Sequence, residues 1–280
     1  MSIAVSVIIL TKNEESRLAL TLECLVAFDD IWVVDSNSAD STTDIARQHG
    51  ASVLDFTWNG AYPKKKQWAL DNLMLKYEWV LLIDADERMS ADLSQEIEDL
   101  FQNGPPPAQG YFITGLYRIG GQILKHGARN NKLMLFARDA FSFPLLIDSA
   151  FEGGWEVEGH YQPIARRSDV SIDRLHHALI HDAFECEDDL NKRHGAYALW
   201  EARMNLHQAW PQDPVARRQR LKAIYRALPL RGLIMFVYGY VLRLGFLDGR
   251  QGLKFALMRA RYYKDVAAKT AQLKKQRECL

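Results

Sequence analysis

The chain has 280 residues, 48% of them hydrophobic and 25% charged, the balance of an ordinary soluble globular protein and enough for one large domain or one domain plus an extension. Its three cysteines, Cys24, Cys186 and Cys279, have neither metal-type spacing nor a pairing logic, which excludes a cysteine-built metal centre or disulfide framework and points to a reduced, cytoplasmic compartment. The net charge is zero, yet residues 214–280 hold 16 Lys and Arg against 3 Asp and Glu, and the first 213 hold 19 against 32. A basic tail on an acidic body calls for an anionic partner: membrane phospholipid, a phosphorylated glycolipid or nucleic acid.

Val5 to Leu10 is an apolar strand, and Glu15 to Ala27 carries helical spacing. The start, Ile3 to Leu10, is too short for a signal peptide and is followed by charge. Ile31 to Val34 is a second strand, ending in Asp35. Ser41 to His49 is a short helix closed by Gly50, and Ala51 to Phe56 a third strand. Lys64 to Tyr77 is a helix, and Trp79 to Ile83 a fourth strand. Asp92 to Gln102 is a further helix, stopped by Asn103-Gly104 and Pro105-Pro106-Pro107. This βαβα order predicts an α/β fold with a mostly parallel sheet covered on both faces.

After the prolines, Tyr111 to Tyr117 and Lys132 to Ala137 read as strands. Phe151 to His181 is irregular and rich in Glu and His, and from Glu187 onward the chain is helical. Leu228 to Leu247 is very apolar, but Pro229 opens it and Arg231 and Arg243 lie inside it, so an interfacial or re-entrant amphipathic segment fits better than a span. The expected division is a catalytic domain over 1–185 and a helical, basic extension over 186–280.

Three polar clusters fall at the carboxyl ends of the strands, where open α/β sheets bind ligands. After the first strand comes Thr11-Lys12-Asn13-Glu14-Glu15, without the glycines of a dinucleotide site; it is either a nucleotide contact or a helix start capped by Asn13. After the second comes Asp35-Ser36-Asn37-Ser38-Ala39-Asp40-Ser41-Thr42, able to hydrogen-bond a base and ribose or to form a turn capped by Ser41 or Asp40. After the fourth comes Asp84-Ala85-Asp86-Glu87. Asp84 and Asp86, two apart, share one face of an extended segment and suit Mg²⁺ or Mn²⁺ held together with a diphosphate.

These motifs, with Val5-Ser6-Val7-Ile8-Ile9-Leu10 and Val33-Val34 before them, resemble glycosyltransferase family 2 over residues 1–185. The nearest likeness is to lipopolysaccharide-core and exopolysaccharide glycosyltransferases, whose helical tail has a segment similar to Gly245-Phe246-Leu247-Asp248-Gly249. The resemblance implies a GT-A fold, a nucleotide-diphosphate sugar donor, a divalent metal (Mg²⁺ or Mn²⁺) and inversion at the anomeric carbon. Carried onto this sequence, Thr11, Asn13 and Glu14 line the nucleotide pocket, with Asp35 and Ser36 near base and ribose. Ser36 departs from the second Asp of many members. Lys65 or Lys66 supplies the basic residue near the donor, Asp86 holds the metal, and Asp84 contacts ribose or metal-bound water.

An inverting transfer also needs a carboxylate to take the acceptor's proton. Glu152-Gly153-Gly154-Trp155-Glu156-Val157-Glu158-Gly159-His160 offers Glu158, favoured over Glu156; the alternative is a structural loop whose acids pair with Arg166 or Arg167. Among His176, His177 and His181, the last matches a His that follows the base segment in related enzymes and is taken as a metal or diphosphate contact. Trp155 and Tyr161 are either sugar-stacking or core residues.

The leading expectation is a metal-dependent inverting transferase acting on a glycolipid or lipid-linked saccharide, peripheral on the cytoplasmic face of the inner membrane and held there by its basic helices. The same donor site would serve a polyprenyl-phosphate sugar synthase. A nucleotidyltransferase would want a glycine-rich loop after the first strand, which is missing. A non-catalytic membrane scaffold on the same fold is the non-enzyme alternative. Nucleic acid is disfavoured, because the basic residues interleave with apolar ones.

Overall fold

A computed structural model describes residues 2–102, 104–151, 155–159, 161–182 and 187–278. Cys186, Cys279, Glu152, Gly153, Gly154 and His160 lie outside the described residues. The chain divides into two compact units. The first comprises Met1–Gly115, Asn130–Leu145 and Ser149–His181; the second comprises Leu116–Arg129, Leu146–Asp148 and Asp182–Leu280.

In the first unit β1 (Ser6–Thr11), β2 (Ile31–Asp35), β3 (Ser52–Asp55) and β4 (Trp79–Asp84) form a parallel core in the order β3-β2-β1-β4. Val7, Ile8 and Ile9 in β1 are all fully buried, as a strand covered on both faces requires. Val7 and Ile9 pack with Leu18 and Leu22 of α1 (Leu18–Glu23) and with Leu93 and Ile97 of α4 (Ala91–Gln102). Two more helices complete the crossovers, α2 (Thr42–Gln48) and α3 (Lys65–Asn72).

The sheet then continues in antiparallel fashion. β8 (Asn130–Ala137) pairs with β4, and β6 (Gly110–Ile119) pairs with β8. Next comes β11 (Ile172–His181), whose last residues pair with the short β5 (Glu87–Arg88). β11 corrects the reading of 151–181 as irregular: its end is a ten-residue strand. Only Leu175 and Leu179 are buried in it, so no clean two-residue alternation announces it. The small ribbon of β9 (Phe141–Ser142) and β10 (Ile164–Ala165) belongs to the same unit. Cys24, which follows α1, has a half-buried thiol bonded to Leu20 O.

Among the described residues the second unit is mainly helical, with a β7 (Gln122–Ile123) hairpin to residues 118–119. Its helices are α5 (Glu187–His207), α6 (Ala216–Ala227), α7 (Arg231–Phe236) and α8 (Gly249–Glu278). A π-helical stretch, Val237–Leu242, extends α7, and a 3₁₀ turn, Gly245–Asp248, leads into α8. The Arg231 charge that interrupts the apolar segment is buried against Glu201 at 2.5 Å, and Tyr262 donates to the same carboxylate at 3.0 Å. Leu230 and Leu244, which flank α7 and its extension, take left-handed backbone conformations, strained for leucine. Among the described residues no single helix is long and apolar enough to cross a membrane; Arg231–Leu242 and Gly245–Glu278 pass that test only as a pair bent by 74°. Leu233, Val241, Leu242, Phe246 and Leu247 are exposed around this bend.

The Gly-Phe-Leu-Asp-Gly segment acquires a structural reason here. Asp248 is buried, and its two carboxylate oxygens accept the N–H groups of Lys125 (3.2 Å) and His126 (2.8 Å). A β-carbon on Gly252 would come within 2.0 Å of the Gly245 carbonyl oxygen, so the chain can pass there only as glycine. Asp248→Ala is expected to lower stability by about 1 kcal/mol by removing the acceptors of two partly buried N–H groups, read as a lower urea midpoint at unchanged slope.

Candidate active site

All the predicted site residues belong to the first unit and gather around the carboxyl ends of β1, β2 and β4. The β1 and β2 loops are knitted together. Thr11 Oγ1 and Ser38 Oγ both donate to Asp35 Oδ1, at 2.7 and 2.6 Å, and the Ser38 N–H donates to Asp35 Oδ2 at 2.7 Å. Asn13, at φ 55°, accepts the Ala39 N–H at 2.9 Å and gives its own N–H to Ser38 Oγ at 2.8 Å. Asn13 therefore ties the two loops rather than capping a helix. Asp35 and Thr11 are buried and spent on this scaffold, so they shape the pocket wall. Lys65 reinforces it from α3: its buried ammonium donates to Thr11 O and Ser36 Oγ, both at 2.7 Å. Burial pushes the Lys65 amine down to about 8 against the pull of Glu156 and Asp35.

The Asp84–Asp86 pair departs from the expected geometry. The chain turns at Ala85-Asp86 between β4 and β5, a turn anchored where Thr21 Oγ1 donates to Ala85 O at 2.7 Å, and the two carboxylates acquire separate partners. Asp84 pairs with Lys132, whose ammonium also lies 2.6 Å from Glu87 Oε1; Glu87 Oε2 in turn accepts the Asp84 N–H at 3.0 Å. Burial disfavours the Asp84 charge, but Lys132 and then Lys66 outweigh it and hold the carboxyl far below its ordinary value. Asp86 sits between His181, whose Nε2 is 3.3 Å from Oδ1, and Arg17, whose Nη1 is 3.6 Å from Oδ2. Arg17 also pairs with Glu14 at 2.5 Å. Burial again opposes ionisation, yet the bond and charge between Asp86 and His181 lower the acid and raise the imidazole.

His176 and His177 lie elsewhere. Both give their backbone N–H to Glu96 of α4, at 2.7 and 2.8 Å, and the His177 ring lies 3.1 Å from the same carboxylate. His181 alone of the three reaches the acid cluster, because β11 ends beside β5 with His181 opposite Glu87.

The two base candidates separate sharply. Glu158 is fully buried, and its oxygens accept the N–H groups of Lys66 (2.7 Å) and Gln67 (3.0 Å) in the first turn of α3. A carboxylate closing a helix N-terminus in this way satisfies orphan donors and meets the positive end of the helix dipole. Burial nonetheless raises the Glu158 carboxyl above its ordinary value. This corrects the preference for Glu158 as base: with both oxygens engaged and no exposed surface, it has no route to an acceptor hydroxyl. Glu156 is half-buried; its backbone oxygen accepts the Lys65 N–H at 2.8 Å, and its carboxylate charge acts on the Lys65 ammonium. Neither acid is taken by the arginines once considered for them: Arg166 donates to Phe141 O, and Arg167 lies 3.4 Å from Asp169. Tyr161 is a core residue packed on Phe143.

Three residues of the cluster escaped the sequence reading: Arg17, Glu87 and Lys132. Each left a weak signal. Arg17 is the only cation in its helical stretch, Glu87 adjoins the acid pair, and Lys132 heads an otherwise apolar strand.

Among the described residues no group of three or more His, Cys, Asp or Glu is disposed to hold a metal ion. Asp86 and His181 do present one carboxylate oxygen and one imidazole nitrogen side by side. That donor set fits a divalent ion completed by phosphate oxygens and water, and it suits Mn²⁺ better than the all-oxygen preference of Mg²⁺.

Residues 6–140 match the family model described as glycosyl transferase family 2. An uncharacterised glycosyltransferase of Rickettsia typhi is 42% identical over 98 residues, covering 35% of this chain and 32% of the relative. One from Rickettsia conorii is 42% identical over 98 residues, covering 35% and 34%. The match thus spans about a third of the length of these curated relatives. Among solved structures, a mannosyltransferase of Pyrobaculum calidifontis in complex with GDP-mannose and Mn²⁺ aligns with a TM-score of 0.52 at 13% identity, over 97% of this chain and 88% of that one. At that identity the likeness is one of fold.

Proposed function

We propose that this chain, whose residues 6–140 match the model of glycosyl transferase family 2 and whose fold is that of GT-A enzymes, transfers a sugar, with inversion, from a nucleotide-diphosphate donor to a glycolipid or lipid-linked saccharide of lipopolysaccharide-core or exopolysaccharide type. The observation that carries this reading is the placing of Asp86 between His181 and Arg17 at the carboxyl edge of the parallel strands.

In this reading the β1 and β2 loops, fixed by Asn13, Asp35, Ser36 and Lys65, form the wall against which the nucleoside rests. Asp86 and His181 would hold the divalent ion, and Asp84 would contact ribose or the ion's hydration shell. Bound there, the ion would stabilise the negative charge growing on the departing diphosphate. Lys66, whose charge already acts on Asp84, and Arg17 add fixed positive charge on the same side. Glu156 takes the proton of the acceptor hydroxyl as its oxygen bonds to the anomeric carbon. The bond from that carbon to the diphosphate breaks, and its electron pair leaves with the diphosphate.

Contact with a membrane belongs to the same proposal. Residues 214–280 carry 16 basic against 3 acidic side chains, and exposed Leu233, Val241, Leu242, Phe246 and Leu247 surround the bend after α7. Basic charge with an apolar face is the chemistry of binding at an anionic bilayer surface, here the cytoplasmic face of the inner membrane. A polyprenyl-phosphate acceptor would suit the same surface, and its product would be labile to mild acid.

The test is release of nucleoside diphosphate from UDP-, GDP- and ADP-sugars by the protein with Mn²⁺ and a membrane-lipid extract. Extract-dependent release from one donor, abolished by chelator, is the expected result. No release from any donor would contradict the reading.

A further inference from the structure

Lys132 is the first charged residue of β8, and continuing the β4–β8 register sets it beside Asp84. Its ammonium is bound to Asp84 and to Glu87 together, and Glu87 is fully buried. Four carboxylates line this edge: Glu14, Asp84, Asp86 and Glu87. The permanent cations Lys132 and Arg17 are both drawn into them. A divalent ion arriving alone therefore meets an acid cluster already half neutralised, and has to compete with an ammonium for Asp84. Lys132 and Asp84 are nevertheless partly exposed, at 21% and 37% of their side chains, so the pair opens outward where Glu87 does not.

We propose that Lys132 is an internal counter-ion that occupies the acidic edge until the donor's diphosphate offers it replacement oxygens, so that binding of the divalent metal is coupled to binding of the donor. This rests on the reading that Asp86 and His181 hold the metal. Lys132 stays with Asp84 and Glu87 while the site is empty of nucleotide. With a nucleoside diphosphate bound, the ammonium turns to phosphate, Asp84 is released, and the edge recovers the negative charge that a dication requires. Because such coupling is reciprocal, metal tightens nucleotide as much as nucleotide tightens metal.

The test is titration of the full chain with Mn²⁺ alone, free ion being followed by its paramagnetic resonance signal, and then with Mn²⁺ plus UDP, GDP or ADP. Lys132→Met removes the counter-ion. Lys132→Met with Glu87→Gln removes it without leaving a buried carboxylate uncompensated, which keeps the comparison available if the single variant folds poorly. Without nucleotide, both variants are expected to bind Mn²⁺ at least about tenfold more tightly than the parent. Lys132→Arg is expected to behave as the parent does, and a nucleoside diphosphate, whose phosphate oxygens complete the ion's shell in every protein, should strengthen Mn²⁺ binding by a larger factor in the parent and Lys132→Arg than in the two variants that lack the cation. Variants with the parent's affinity for Mn²⁺, while a nucleotide still loads Mn²⁺ onto the parent, would overturn the counter-ion and leave the metal reading standing. Absence of Mn²⁺ binding by every protein with every nucleotide would overturn the donor site itself, and the counter-ion with it.

Discussion

Asp86→Asn is expected to lower kcat/KM for sugar transfer by about a thousandfold, the scale on which loss of one charge-stabilising group at a reacting phosphate acts, while lowering the melting temperature by only a few degrees as His181 and Arg17 lose a charged partner. Two features separate the catalytic loss from a folding loss. The turn that carries Asp86 is anchored by the Thr21 bond to Ala85 O, which the substitution does not touch. Arg17 retains its pair with Glu14, and asparagine keeps the shape and one acceptor oxygen beside His181. The Mn²⁺ concentration for half-maximal rate should rise steeply in the variant. An Asp86→Asn protein of parental activity, with parental dependence on Mn²⁺, would remove the metal from this position.

The second large effect divides the two glutamates by kind. Glu158→Ala is expected to cost about 3 kcal/mol of stability, because two first-turn N–H groups of α3 lose their acceptors in a buried place and a cavity is left behind. Glu156→Gln is expected to cost little stability and to lower kcat by about 10²- to 10⁴-fold, as loss of a general base does. Denaturant midpoints and initial rates on the same two proteins read both quantities. A stable Glu158→Ala protein with no activity, beside an active Glu156→Gln protein, would return the base to Glu158. Glu158→Gln is intermediate: the amide keeps one acceptor oxygen and loses the other, so a smaller fall in stability is the signature of a helix-capping role.

The parallel half of the fold and its ligand edge were legible because strands covered on both faces are continuous apolar runs. Val5 to Leu10 and Trp79 to Ile83 announce themselves, and polar residues that follow such runs fall at the crevice. β11 was not legible. Its charged and histidine-rich sequence buries only Leu175 and Leu179, and its order comes from partners on β5 and α4 far away in the chain. The same reason hid the cluster's cations and the role of Glu158. Lys132 reaches across 48 residues to Asp84, and Glu158 reaches across 92 to cap α3. Local pattern carries no trace of either, whereas the acids at 84 and 86 stand next to the strand that presents them. What local pattern misjudged about those acids was their shared face: alternation holds only while the chain stays extended, and it turns at Ala85-Asp86.

The central claim, a donor site built on Asp86 and His181, is tested most directly by calorimetric titration of the parent protein with UDP, GDP and ADP, each with and without Mn²⁺. The account predicts that one nucleoside diphosphate binds, that Mn²⁺ strengthens it at least about tenfold, and that Asp86→Asn loses the Mn²⁺-dependent part while retaining the rest. Binding of none of the three under either condition, or binding indifferent to both Mn²⁺ and Asp86, would contradict it.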